Sequence, residues 1–194
     1  MIYLLRHGED DEQFIGGWSD VDLTPVGIKQ VKDIVAFIKK KKLNITKIYS
    51  SDLKRTIRTT EIISKELGIV YHHTPLLREL NKGTLTGMKI KAAKEKYPQY
   101  FQTMDINTRY PNGESMLDLY HRIKSSLDTT VIEDNTLIIT HRGVINMIYY
   151  ILNHMSPDMN KDRFGVTHAS LHEMDIKKQE IKRIAVPQID VCRK

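Results

Sequence analysis

An α/β fold with three layers, a mostly parallel central sheet covered by helices on both faces, is predicted by three observations. Strand-length apolar runs alternate with stretches of helical periodicity along the chain. Two of the runs, Met1–Leu5 and Thr136–Thr140, read as strands buried on both faces. The last two strand candidates, His168–Ile176 and Glu180–Val186, face each other across a turn at 177–179 and form a closing antiparallel pair.

The elements follow in order. After the first strand, Thr24-Pro25 opens a helix, with Thr as N-cap and Pro in its first position. Ile28, Val31, Ile34, Val35 and Ile38 then recur at helical spacing. Lys47–Tyr49 is a short strand running into Ser50-Ser51-Asp52, and a helix from about Leu53 to Leu67 stops at Gly68. Ile69–His72 reads as a third strand, followed by a loop holding Pro75, Gly83 and Gly87. Residues 89–104 are helical but broken at Pro98; Pro111-Asn112-Gly113 breaks the chain, and a helix spans Ser115 to about Thr130. The strand Thr136–Thr140 ends at His141-Arg142-Gly143, and helix continues over Val144–Leu152. With 194 residues and no repeat, low-complexity segment or long linker, residues 1–194 are expected to form one domain.

Composition narrows the function. Hydrophobic residues are 40 % of the chain, enough for a core, and no run approaches a membrane span. The apolar run at the N-terminus is too short for a signal peptide. A single cysteine, Cys192, leaves no disulfide framework and no Cys-rich zinc site, and suits the reducing cytoplasm. The net charge of +6 favours anionic ligands. The densest basic run, Lys39–Lys42, falls at the end of a predicted helix, where cations complement the helix dipole. No nucleic-acid-binding signature accompanies it.

Two strand ends carry the same chemistry. Leu4-Leu5-Arg6-His7-Gly8 closes one, and Ile139-Thr140-His141-Arg142-Gly143 closes the other. Ligands of open α/β sheets bind at the carboxyl ends of strands. If the two strands are neighbours, both imidazoles enter one pocket. A third strand, ending in Ser50-Ser51-Asp52-Leu53, leads into a helix whose first turns carry Arg55 and Arg58. A phosphate suits such a set, because Arg offers a planar fork of donors to its oxygens and a neutral imidazole nitrogen can attack phosphorus. Taken singly, Arg55 is a surface helix cation, Glu79 a solvated loop carboxylate, and His141 a satisfied histidine at a strand end.

Six short motifs occur in order: Arg6-His7-Gly8; Gly17-Trp18 with Asp22-Leu23-Thr24 and Gly27; Ser50-Ser51-Asp52-Leu53 with Arg55 and Thr59; Leu77-Arg78-Glu79-Leu80 with Gly83 and Gly87; Gly113-Glu114-Ser115; and Thr140-His141. Together they resemble the histidine phosphatase superfamily, the phosphoglycerate-mutase-like proteins, over residues 2–175. The resemblance implies a phosphoglycerate-mutase-like fold and a phosphohistidine intermediate on His7 that water hydrolyses. It implies that Arg6, Arg55 and His141 surround the phosphoryl group. Glu79 then protonates the leaving alcohol and later activates water. No metal or other cofactor is expected, since arginines and imidazoles neutralise the charge.

Gly8, Gln13, Gly17 and Arg142 are the candidate substrate-binding residues. The stretch between Arg-His-Gly and Gly-Trp is about three residues shorter than in relatives, where an Asn contacts phosphate, and Gln13 is the nearest polar substitute. Arg142 stands where relatives carry a small residue, and either adds a cation at the pocket rim or points away. His168 stands where relatives often carry Asn. Arg58 is expected outside the pocket and Trp18 in loop packing. His72, His73, His121, His154 and His172 carry no motif and read as structural or surface residues.

The resemblance covers phosphatases, mutases and inactive members. Mutases carry a longer basic insertion that shields the intermediate from water; here the covering segment, residues 80–112, is short. The expected activity is therefore metal-independent phosphomonoester hydrolysis of a small molecule, with phosphoglycerate-mutase-type transfer as the alternative. A non-catalytic phospho-ligand binder is the reading from a different class. It has no need of an acid at the leaving group. Nucleic acid and membrane are not expected partners.

Overall fold

The computed structural model describes residues 1–102 and 104–187; Cys192 lies outside them. One six-stranded sheet carries the molecule. Its strands are β1 (Ile2–Arg6), β2 (Lys47–Ser51), β3 (Tyr71–Thr74), β4 (Thr136–Thr140), β5 (Leu171–Asp175) and β6 (Glu180–Ala185), in the order β3-β2-β4-β1-β5-β6. The first four are parallel, and β5 and β6 add an antiparallel edge. The sequence-predicted α/β class with a mostly parallel sheet is the fold observed.

Alternation along β1 sorts its side chains between two cores. Ile2 and Leu4 pack with α4 (Met116–Thr129) and α5 (Arg142–Leu152). Tyr3 and Leu5 pack with α1 (Pro25–Lys41) and α2 (Lys54–Leu67). β4 divides likewise, with Ile138 on the first face and Leu137 and Ile139 on the second. Strand β1 is buried along its whole length, which is why its sequence shows no polar alternation.

The helix signals act as read. Thr24 accepts from Gly27 N and caps α1, whose last turn holds Lys39, Lys40 and Lys41. Gly68 adopts the left-handed conformation and ends α2. Ser115 and Asp118 form a reciprocal capping box on α4. A short helix, α3 (Ile90–Lys96), and a 3₁₀ turn after Pro98 lie in the segment 80–112. Leu85 and Ala93 of that segment form a small core with Ile15 of the loop after β1, and the two stretches are hydrogen-bonded through Ile15 N to Met88 O and Ile90 N to Gln13 O.

Two strands start two or more residues later than expected. β3 starts at Tyr71 rather than Ile69, because Ile69 N bonds back to Ser64 O and completes the α2 cap. β5 starts at Leu171 rather than His168, because Ala169 takes a positive φ of 51° and residues 167–170 form a turn. That turn removes His168 from the ladder and aims it elsewhere.

One close approach fixes the exit of β1. A Cβ on Gly27 would stand 2.2 Å from Glu9 O, and one on Gly8 would stand 2.5 Å from Gly27 O. The turn after His7 is thus pressed backbone to backbone against the first turn of α1. Gly27→Ala is expected to cost about 2 kcal/mol or more and to lower Tm by roughly 4–8 °C in thermal denaturation, since backbone atoms must move. An unchanged Tm would show that this contact does not hold the turn.

Candidate active site

The order β2-β4-β1 places three strand ends side by side. Arg6 of β1 is in register with Thr140 of β4, so His7 and His141 leave adjacent strands in the same direction. Their rings lie 5.1 Å apart, edge to face. Both are buried, His141 completely. Arg55, in the first turn of α2, is 1 % exposed and lies with them; Arg58, one turn on, is solvated and paired with Glu61.

The hydrogen bonds fix which nitrogen of each ring is free. His7 Nδ1 donates to Gly8 O at 2.7 Å, which leaves the lone pair on Nε2. Arg55 Nε donates to that nitrogen at 3.3 Å. Gly17 O and Ser19 O accept from the other two nitrogens of Arg55, at 2.7 and 3.3 Å. His141 Nε2 contacts Ser51 Oγ at 3.0 Å, while its buried Nδ1 has no partner within the chain, as is true of Arg6 Nε. Arg6 uses its remaining nitrogens on Val166 O and His168 Nε2. A neutral imidazole nitrogen flanked by two buried guanidiniums and orphaned buried polar atoms is what an incoming phosphoryl group requires.

Charges follow from burial. His7 is driven well below the ordinary histidine range by burial first, then by Arg55. His141 is lowered by burial, then by Arg55 and Arg6. Burial and the Arg142 guanidinium press Arg6 down to about 10, so it stays charged at neutral pH. Away from the pocket, His172 is lowered to about 4 by burial; Tyr149 Oη and Ser170 Oγ satisfy its two nitrogens. All three rings are neutral in the folded protein at pH 6–7 but titrate near 6.5 when unfolded. The unfolded state therefore binds more protons as pH falls below about 6.5. Stability is full above that value and declines toward pH 4, with a limiting slope of about 1.4 kcal/mol per pH unit per histidine. Urea unfolding at pH 7 and pH 5 checks this; equal midpoints would contradict it.

Glu79 sits at the N-terminus of α5. Its carboxylate accepts from Leu80 N at 2.9 Å and Gly143 N at 3.1 Å. A Cβ on Gly143 would stand 2.2 Å from Glu79 Oε1, so the glycine makes room for the acid. The loop carrying Glu79 is held from three sides. Trp18 Nε1 donates to Glu79 O at 2.7 Å; Arg122, paired with Glu114, donates to the carbonyls of Leu76, Arg78 and Glu79; and Arg78 pairs with Asp52 and stacks over Trp18. Trp18 is therefore a loop-packing residue, as expected.

The remaining candidates divide. Gly8 and Gly17 offer carbonyls to His7 and Arg55 respectively, so they orient those side chains. Arg142 is half-buried at the rim and 3.6 Å from Asp162. Half-buried Lys82 has its ammonium lowered by burial, with Arg142 and Lys161 adding to this against Glu79. The Gln13 side chain is exposed, and its backbone carbonyl and amide serve Ile90 and Asp11.

Sequence reasoning missed Asp10 and Arg122, and named Ser51 and His168 without a contact for either. The His168 ring lies 5.7 Å from that of His7, and Arg6 Nη2 is 2.5 Å from its Nε2. Asp10 Oδ2 is 3.5 Å from Arg55 Nε and its Oδ1 is 3.5 Å from His168 Nε2. Only the tertiary fold brings these together; the one local signal was an acidic side chain two residues past Arg-His-Gly. Single atoms of His7, Asp10 and His168 lie within 4.8 Å of one another, a spacing that could hold a metal. Both ring nitrogens already accept from guanidiniums, which opposes a cation there.

Comparison with known proteins shows the family of the chain. Residues 2–186 match the family model of the histidine phosphatase superfamily, branch 1. The chain is 33 % identical over 159 residues to human 6-phosphofructo-2-kinase/fructose-2,6-bisphosphatase 4, covering 78 % of this chain and 33 % of that protein. It therefore spans about a third of the length of such relatives. It is 41 % identical over 132 residues to a probable phosphoglycerate mutase of Escherichia fergusonii, covering 65 % of this chain and 60 % of that one. Among solved structures, the alpha-ribazole phosphatase of Shigella flexneri superposes with a TM-score of 0.79 at 20 % identity, covering 96 % of each chain. Among the described residues no helix is long and apolar enough to cross a membrane. The chain belongs to the histidine phosphatase superfamily, branch 1.

Proposed function

We propose that the protein is a phosphomonoester hydrolase that needs no metal and works through a phosphohistidine on His7. The observation that carries this reading is the tautomer. Gly8 O holds the His7 Nδ1 proton, so Nε2 presents its lone pair beside Arg55 in a pocket shared with Arg6 and His141. His7 Nε2 attacks phosphorus and the P–O ester bond breaks, with the guanidiniums holding the equatorial oxygens. Glu79, which must carry a proton when the substrate binds, gives it to the leaving alcohol, then takes one from water as that water attacks the phosphohistidine. The P–N bond breaks, phosphate leaves, and His7 and Glu79 return to their starting states. The covering segment 80–112 belongs to the same single domain, 1–194, in this reading.

The test is to quench the enzyme rapidly with a phosphomonoester under excess chelator and to locate the acid-labile phosphoryl group by mass spectrometry. It is expected on His7. A phosphoryl group elsewhere, or none, overturns the mechanism. Transfer of that group to a second phosphoglycerate rather than to water would establish the mutase alternative, which the 41 % identical relative keeps in view.

Lys82 feels the charge of Glu79, and Arg142 and Lys161 act on it as like charges, so a cationic cluster adjoins the acid that serves the leaving alcohol. The cluster suits an alcohol that carries a second anionic group. Lys82→Ala is expected to raise KM about tenfold for such esters and to leave KM for a neutral aryl phosphate unchanged. Equal effects on both would remove Lys82 from substrate selection.

A further inference from the structure

The pocket contains one group that phosphate binding alone does not require. Asp10 puts a carboxylate among its cations. That carboxylate is 15 % exposed, so it is inside the pocket and not a solvated rim charge. Oδ2 reaches Arg55 Nε at 3.5 Å, and Arg55 Nε is the donor that also reaches His7 Nε2 at 3.3 Å. Oδ1 reaches His168 Nε2, the atom to which Arg6 donates. An oxygen so placed stands where a phosphoryl oxygen must stand to reach Arg55 while phosphorus faces His7.

We propose that Asp10 is a resident anion in the phosphoryl seat, which substrate and product phosphate must displace, so that this residue sets how tightly the site holds phosphate. The proposal rests on the reading above only for the identity of the seat's natural occupant. Two buried guanidiniums without an anion are costly, and Asp10 neutralises part of that charge in the resting protein. A phosphate dianion entering the pocket competes for the same donors and meets the carboxylate as a like charge. The Asp10 backbone is held by a bridge to Leu23, so the carboxylate yields by rotating its side chain while the chain stays in place. Burial raises the carboxyl, but the contacts with His168 and the Arg55 guanidinium outweigh it, holding Asp10 well below the ordinary carboxylate range. The competition therefore persists across mildly acidic and neutral pH. Its consequence for turnover is a faster release of product phosphate.

The experiment measures orthophosphate binding by calorimetry, and thermal melting with and without phosphate, for wild type, Asp10→Asn and Asp10→Ser. Both variants are expected to bind phosphate at least about tenfold more tightly. They are also expected to melt lower than wild type without phosphate, and to gain more from its addition. Equal or weaker phosphate binding by folded variants overturns the proposal and makes Asp10 a positioning residue for His168. Variants that stay unfolded in saturating phosphate overturn it as well, since phosphate then cannot replace the carboxylate. The two readings fail separately. Tighter phosphate binding with no ester hydrolysis by wild type would keep the resident anion and sink the phosphatase. Unchanged phosphate binding, with hydrolysis that His7→Ala abolishes, would do the reverse.

Discussion

Replacing His7 with alanine is expected to lower kcat for an aryl phosphate by at least about 10³-fold, with chelator in excess throughout. The effect is large because the substitution removes the bond-forming atom. Neighbouring groups can still hold the ester but have nothing to transfer its phosphoryl group to. It should fall on kcat far more than on KM, since Arg6, Arg55 and His141 remain to hold the phosphate oxygens. Folding should survive: the His7 side chain donates only to Gly8 O, its own neighbour, and the backbone pairing of β1, including His7 N to Thr140 O, is untouched. His141→Ala keeps the nucleophile and removes a flank, so its loss should be smaller, about 10²-fold. Hydrolysis that persists in His7→Ala, or that the chelator abolishes in wild type, would refute the mechanism at its first step.

The legibility of this site in the sequence has a physical pattern. Residues that leave the ends of buried strands were readable, because an apolar run that stops at Arg-His-Gly or His-Arg-Gly marks both the strand and its functional end. The register of β1 on β4 then brings Arg6, His7 and His141 together without further help. Helix limits were readable where a side chain or a glycine acts on its own helix, as Thr24, Gly68 and Ser115 do. What stayed hidden depends on contacts between distant segments. Asp10 and His168 are 158 positions apart, and they meet only because the turn at 167–170 folds back onto the loop after β1. That turn is made by Ala169 at positive φ, a conformation its residue type does not announce. Arg122 was hidden for a related reason. On its helix it reads as a surface cation, whereas its guanidinium reaches three carbonyls of the loop that carries Glu79.

Glu79→Gln separates the chemistry of this site from simple binding, because its effect must depend on the leaving group. An alkoxide cannot depart without a proton, so with alkyl phosphates the variant is expected to lose about 10²–10⁴ in kcat. A nitrophenolate departs unaided, so phosphorylation of His7 by an aryl phosphate should be nearly normal. The second step still needs a base to activate water. The variant should therefore release one equivalent of nitrophenol in a burst and then turn over slowly, with phosphohistidine accumulating. Gln keeps one acceptor for the two amides that now serve the carboxylate, Leu80 N and Gly143 N, so local geometry is strained at one of them. Gly143→Ala is the independent control. Its Cβ would fall 2.2 Å from Glu79 Oε1, the far end of a flexible side chain that can swing aside without unfolding the loop. Moving the acid in this way should reproduce the same dependence on leaving group while the carboxyl itself remains. If both variants slow the burst as much as they slow alkyl ester hydrolysis, Glu79 acts by holding the N-terminus of α5 in place, and the proton donor is another group.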